Sequence, residues 1–126
     1  MLDLEVVKLR KARLPDVEAI YQLVQQYAAQ GWLLPRSREE LCEHLRDFTV
    51  VEQDGEVVAC CALHLYGPEL AEVRSLAVHR RHWRQGLGRR LVHSCLEEAR
   101  RLGARRIGEE KRQRGERLRC EHRERE

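Results

Sequence analysis

Long apolar runs are missing from this chain of 126 residues. The longest, Val57 to Leu65, is interrupted by His64 and is far shorter than the roughly 20 residues that cross a bilayer. No secretory leader is recognisable either, so neither a membrane span nor a membrane partner is expected. A large excess of charge of one sign is also lacking: 24 Lys and Arg face 21 Asp and Glu, a net of +3. Such a chain is no polyelectrolyte. With one Phe, two Trp and three Tyr, and only Trp83 among the basic residues, it offers few platforms for base stacking, and no nucleic-acid partner is expected. The five cysteines (42, 60, 61, 95 and 120) are odd in number and none sits in a CxxC. Cys60 and Cys61 are neighbours in a strand-like run, so they point to opposite faces. Reduced thiols, a cytoplasmic location and no metal site follow as expectations. Cys42 and Cys95 read as helix core rather than as nucleophiles, because a free cysteine behaves as a small hydrophobe.

What the chain does have is concentrated between Ala71 and Ala99. Val73 to Val78 is part-apolar and β-branched, as a buried strand is. After a basic turn, Leu87, Leu91, Cys95, Ala99 and Leu102 recur at helical steps on one face, and Gly103 is placed to close that helix. The first N–H groups of a helix lack intrahelical partners and carry partial positive charge. Gly86 and Gly88 let an anion approach the backbone, and Arg80, Arg81, Arg84, Arg89 and Arg90 surround the turn. The stretch predicts a phosphate cradle suited to a diphosphate. It is neither a Walker loop nor a dinucleotide fingerprint: GxxxxGK[ST] is absent, and no third glycine follows Gly86-Leu87-Gly88.

Elsewhere, Val6 to Ala12 alternates as an opening strand. Pro15 and Asp16 suit the start of a helix whose apolar stripe is Val17, Ile20, Tyr21, Val24 and Ala28. Gly31 to Arg36 reads as an apolar loop. Ser37 with Glu40 forms a capping box for a second helix through Leu41 and Leu45. Phe48–Glu52 and Val57–Tyr66 pair across an Asp54-Gly55 turn, the second strand apolar enough to be buried on both faces. One α/β (α+β) domain follows, a mainly antiparallel sheet flanked by helices. From Gly108 to Glu126 the pattern changes: seven basic and six acidic residues stand among nineteen, which predicts a disordered or solvated helical tail.

Trp83-Arg84-Gln85-Gly86-Leu87-Gly88 resembles the (Arg/Gln)-x-x-Gly-x-(Gly/Ala) pattern of the GNAT superfamily of N-acetyltransferases, with Trp83 in the usual Arg/Gln place. Arg13 to Val17 and the Asp54-Gly55 hairpin fall in family order. Gly31 to Ser37 and Leu70 to Val78 are similar to the short bacterial amino-acid acetyltransferases related to N-acetylglutamate synthase. The resemblance implies acetyl transfer from acetyl-CoA, without a metal, to the α-amine of an amino acid, foremost L-glutamate, in arginine biosynthesis. It also implies the site: Leu76, Ala77, Val78, Arg84, Gln85, Gly86, Leu87, Gly88 and Arg89 for acetyl-CoA, and Leu34, Arg36 and Arg74 for the substrate. Glu72 is the candidate base, with an ion pair to Arg74 as the alternative; His64 and His79 are weaker candidates. For Arg36 the alternative is a solvated loop arginine.

The family continues past this helix with further strands and a helix bearing a tyrosine, and here no tyrosine follows Tyr66. The expectation is therefore an incomplete domain over 1–107 lacking the usual C-terminal strands, and a tail over 108–126 whose deletion shifts the melting temperature little. An unpaired sheet edge leaves room for a homodimer. An inactive acyl-CoA-binding remnant is the alternative function.

Overall fold

The structure, a computed structural model, describes residues 7–110 and the backbone of residues 122 and 123. Strand β1 (Val7–Lys11) leads through a 3-10 turn at Leu14–Asp16 into helix α1 (Val17–Ala28). The Ser37 hydroxyl accepts the Glu40 N–H at 3.1 Å and the Glu40 carboxylate accepts the Ser37 N–H at 2.8 Å. This reciprocal cap starts helix α2 (Arg38–Glu43), which gives way to a 3-10 turn at Leu45–Asp47 rather than continuing through Leu45. Strands β2 (Phe48–Gln53) and β3 (Glu56–Leu65) turn at Asp54 and Gly55, whose φ angles of 53° and 83° are those of the expected tight hairpin. Strand β4 (Leu70–Val78), helix α3 (Leu87–Leu102), β5 (Arg106–Glu109) and the two-residue β6 (His122–Arg123) follow.

The strands lie in chain order, β1 to β6, in one sheet. Every neighbouring pair is antiparallel except β4 and β5, which α3 connects as a parallel crossover. One apolar cluster packs Leu87, Leu91, Cys95 and Ala99 of α3 against Ala59, Cys61, Ala71 and Val73. On the opposite face Ile20, Leu23, Val24, Tyr27 and Leu41 pack against Val50, Cys60 and Ala62. Cys60 and Cys61 thus belong to different cores, and β3 is buried on both faces. Each fully buried Leu or Ile contributes about 1.5–3 kcal/mol, so the two stripes fix both helices against the sheet.

Three expectations are corrected. Leu102 is exposed: it continues the direction of the stripe, but Ala99 is the last residue of α3 in the buried cluster. Cys42 is also exposed, because its neighbour Leu41 takes the inward position. The sheet does not stop at residue 107, since β5 pairs Leu70–Val73 with Arg106–Glu109 and runs on through the Glu110 N–H to the Val73 carbonyl at 2.9 Å. Backbone pairing needs no apolar side chains, and the buried Ile107 suffices to anchor the strand. Residues 111–121 and 124–126, with Cys120 and most of the expected tail, lie outside the described residues.

One irregularity in β4 prepares the site. Ser75 has φ +56°, and the pairing with β3 shifts register there, Ala62 meeting Arg74 while Cys60 meets Ala77. The bulge reverses the facing of the strand: Val73 belongs to the α3-side core and Ala77 to the α1-side core, four residues apart.

Candidate functional site

The segment from His79 to Gly86 folds through local contacts. The His79 Nδ1 accepts the Arg81 N–H at 3.1 Å, starting a 3-10 turn. The indole of Trp83 swings back so that its N–H donates to the Val78 carbonyl at 2.9 Å. Arg84 at φ 68° and Gly86 at φ 81° reverse the chain into α3. Gly86 is the helix cap and offers no side chain to the first N–H groups. These groups therefore face outward with the positive end of the helix dipole.

They face a cavity of 580 Å³. One wall is Arg84, Gly86, Leu87, Gly88 and Arg89; the other is Leu76, Ala77 and Val78 at the end of β4. Among the described residues the pairing of β4 with β5 ends at Val73, and Leu76, Ala77 and Val78 beyond it line the cavity. Eight of the nine residues expected to hold acetyl-CoA line this one cavity; Gln85 does not. Of the five arginines expected around the turn, Arg84 and Arg89 line it, whereas Arg80 lies over the Trp83 ring at 5.3 Å.

Sequence reading missed part of the wall. Tyr27, assigned to no role, donates its hydroxyl to the Val78 carbonyl at 2.6 Å and stacks on Trp83 at 6.4 Å between centroids. Trp32, Leu33 and His82 also line the cavity, and the Nδ1 of His82 is buried without a hydrogen-bond partner. An apolar wall beside two arginines and a helix N-terminus suits a ligand with an aliphatic arm and an anionic end.

The expected substrate residues sit on the far side of the bulge. Arg36 packs with 16% of its side chain exposed; its Nε lies 3.4 Å from the Ser75 hydroxyl and its Nη2 3.4 Å from Glu110 Oε2. It is no solvated loop arginine. Arg74 and Arg36 line a small cavity of 40 Å³ with Ser75, His44 and Asp47. Glu72, the candidate base, accepts from the Tyr66 hydroxyl at 3.1 Å and lies 3.5 Å from Arg74 Nη1. The alternative pairing with Arg74 is therefore realised, with Tyr66 as a third member. Leu34 contributes its backbone: its N–H reaches Glu110 Oε2 at 3.3 Å.

His64 hydrogen-bonds Asp47 Oδ2 through Nδ1 at 2.9 Å, and His44 stands 3.9 Å from the same oxygen. These three offer ligand-type atoms within 4.8 Å of one another, but the adjoining cavity is shared with the guanidinium groups of Arg36 and Arg74, which oppose a cation. Cys60 and Cys61 are poor nucleophiles: burial pushes the Cys60 thiol up to about 12, and the contact with the Cys95 thiol, together with burial, raises Cys61. No described helix is long and apolar enough to cross a membrane.

Residues 17–115 match the Acetyltransferase (GNAT) family. The chain belongs to this family. Among curated relatives of this GNAT chain, an uncharacterized N-acetyltransferase of Chlorobaculum tepidum is 46% identical over 87 residues, covering 69% of this chain and 56% of the relative. An amino-acid acetyltransferase of Aeromonas salmonicida is 35% identical over 99 residues, 78% of this chain and 22% of that protein. The chain thus spans about half of one relative and a fifth of the other. Among solved structures, N-acetylglutamate synthase of Neisseria gonorrhoeae, complexed with coenzyme A and N-acetyl-glutamate, superposes with a TM-score of 0.80 at 33% identity, covering 82% of this chain and 25% of that one. Rv2747 of Mycobacterium tuberculosis, in a complex containing CoA, gives 0.78 at 37% identity over 81% of this chain and 63% of that one.

Proposed function

We propose that this GNAT domain binds acetyl-CoA at the α3 N-terminus and transfers its acetyl group to the α-amine of an amino acid, with L-glutamate the first candidate. One observation carries the reading: the uncapped start of α3, with Arg84 and Arg89, opens into the same cavity as Leu76, Ala77 and Val78 at the end of β4. The helix start and the two arginines would hold the diphosphate, and Tyr27, Trp32 and Leu33 would cover the apolar part of the ligand.

In this reading a neutral amine attacks the thioester carbonyl, the C–N bond forms, and the carbonyl electrons move onto oxygen. Backbone N–H groups of Leu76–Val78 would stabilise that oxyanion. Collapse expels the thiolate of CoA, which takes up the proton released by the amine. Glu72 is the proposed acceptor of the ammonium proton through water, released for that role from its contact with Arg74. Arg36 would hold a substrate carboxylate through its planar fork, with Leu34 and Arg74 beside it. Support for an amino-acid acceptor comes from the relatives, one an amino-acid acetyltransferase and one an N-acetylglutamate synthase. A cytoplasmic role in arginine biosynthesis extends the same reading, as does a homodimer.

A second reading has its own observation. With Glu72 paired to Arg74 and Arg36 facing Glu110, an acyl-CoA-binding domain without turnover would show the same cradle. Calorimetric titration with acetyl-CoA, followed by thiol release in the presence of individual amino acids, separates the two. Binding with turnover on glutamate supports the first reading, binding without turnover on any amino acid supports the second, and absence of binding removes both.

A further inference from the structure

The carboxylate of Glu110 is held as a bound ligand would be. Its Oε1 accepts the Ser75 N–H at 2.8 Å, and its Oε2 faces the Leu34 N–H at 3.3 Å and Arg36 Nη2 at 3.4 Å. The side chain is 7% exposed, so the three donors replace water around a buried charge. The donors come from two parts of the fold. Arg36 and Leu34 belong to the loop between α1 and α2, whereas Ser75 donates from the β4 bulge, where its φ is +56° and the described pairing with β5 has ended at Val73.

We propose that Glu110 is an internal occupant of a carboxylate-binding subsite, and that free carboxylate ligands must displace it. This rests on the proposed reading of Arg36 as the group that holds a substrate carboxylate. The donor set, two backbone N–H groups and one guanidinium, recognises a carboxylate whether it belongs to the chain or to an amino acid. The internal ligand is not an ideal fit. Only the Ser75 contact is short; those to Leu34 and Arg36 exceed the roughly 2.7–2.9 Å of tight charge-assisted bonds. A carboxylate seated more squarely on the Arg36 fork gains what Glu110 forgoes. The cost to that ligand is a population factor: its apparent dissociation constant is the intrinsic one divided by the fraction of molecules in which Glu110 has left. Glu110 follows directly on β5, so the strand that extends the sheet also positions the competitor.

The test uses the full chain with Glu110→Ala and Glu110→Gln, titrated calorimetrically with L-glutamate, and with acetate and acetamide followed by melting temperature. The expected result is at least tenfold tighter binding of glutamate by Glu110→Ala than by wild type. Glu110→Gln, which keeps the shape and loses the charge, should fall between them. Acetate should raise the melting temperature of Glu110→Ala more than that of wild type, and acetamide should not. If neither variant binds glutamate more tightly than wild type, the proposal is overturned. Should Glu110→Ala fail to fold, Glu110→Gln decides by the same criterion. Acetyl-CoA titration of the wild type keeps the two ideas apart. Its failure removes the acyl-CoA reading even where glutamate binding tightens; retained acetyl-CoA binding with no gain for glutamate removes only the internal competitor.

Discussion

The hydroxyl of Tyr27 and the indole N–H of Trp83 both donate to the Val78 carbonyl, at 2.6 Å and 2.9 Å. One carbonyl thereby ties α1, the end of β4 and the turn before α3 together, at the point where the two walls of the cavity meet. Because Trp83 still satisfies that oxygen, Tyr27→Phe leaves no orphaned acceptor and should cost about 1 kcal/mol. Urea denaturation measures this. Loss of several kcal/mol would show that Trp83 does not hold the carbonyl without Tyr27.

Gly88→Glu should reduce acetyl-CoA affinity at least a hundredfold with little change in far-UV circular dichroism. A Cβ at this position meets only Val78 Cγ2, at 3.8 Å, so the helix tolerates it. The added carboxylate, however, stands at the helix start where the diphosphate is proposed to lie. Unchanged affinity in calorimetry would remove the cradle assignment.

Arg36→Lys is expected to raise the KM for glutamate while leaving acetyl-CoA binding unchanged. Lysine keeps the charge but cannot present two parallel donors to a carboxylate. Equal losses for both ligands would assign Arg36 to holding the loop in place.

Asp16 gives a pH dependence of stability. Hydrogen bonds from Arg10 at 2.8 and 3.1 Å, with the Arg13 N–H at 2.7 Å, hold its carboxyl below the ordinary value of 3.8. A depressed folded pKa stabilises fully above the unfolded value and is lost as pH falls through the folded one. Asp16→Asn should therefore cost about 1–3 kcal/mol near neutral pH, and the gap to wild type should narrow below pH 3.8. A gap that stays constant into acid would contradict the Arg10 pairing.

Deletion of residues 108–126 should now lower the melting temperature appreciably, against the expectation from composition. It removes half of β5 and the Glu110 carboxylate that Arg36, Leu34 and Ser75 surround. A shift near zero by differential scanning calorimetry would show that these contacts contribute nothing net.

Local chemistry made much of this legible in the sequence alone. The Ser37–Glu40 box, the Asp54-Gly55 turn and the Gly86 start of α3 depend on spacings within a few residues, and each formed as the spacing requires; the stripes held in part, α1 burying Leu23 and Tyr27 beside Ile20 and Val24, and α3 ending its buried face at Ala99. For the same reason most of the proposed acetyl-CoA contacts could be named: they are consecutive in the chain. Tertiary structure decided what depends on residues far apart. Tyr27 reaches Val78 across 51 positions and Glu110 reaches Arg36 across 74, and no periodicity reports such pairs. The Ser75 bulge, which turns β4 over between its two cores, arises from register with β3 rather than from any signal in the strand itself. Composition placed Glu110 in a disordered or solvated helical tail beginning at Gly108. Its burial follows instead from backbone pairing with β4, which asks for hydrogen-bond partners and is indifferent to how charged the side chains are.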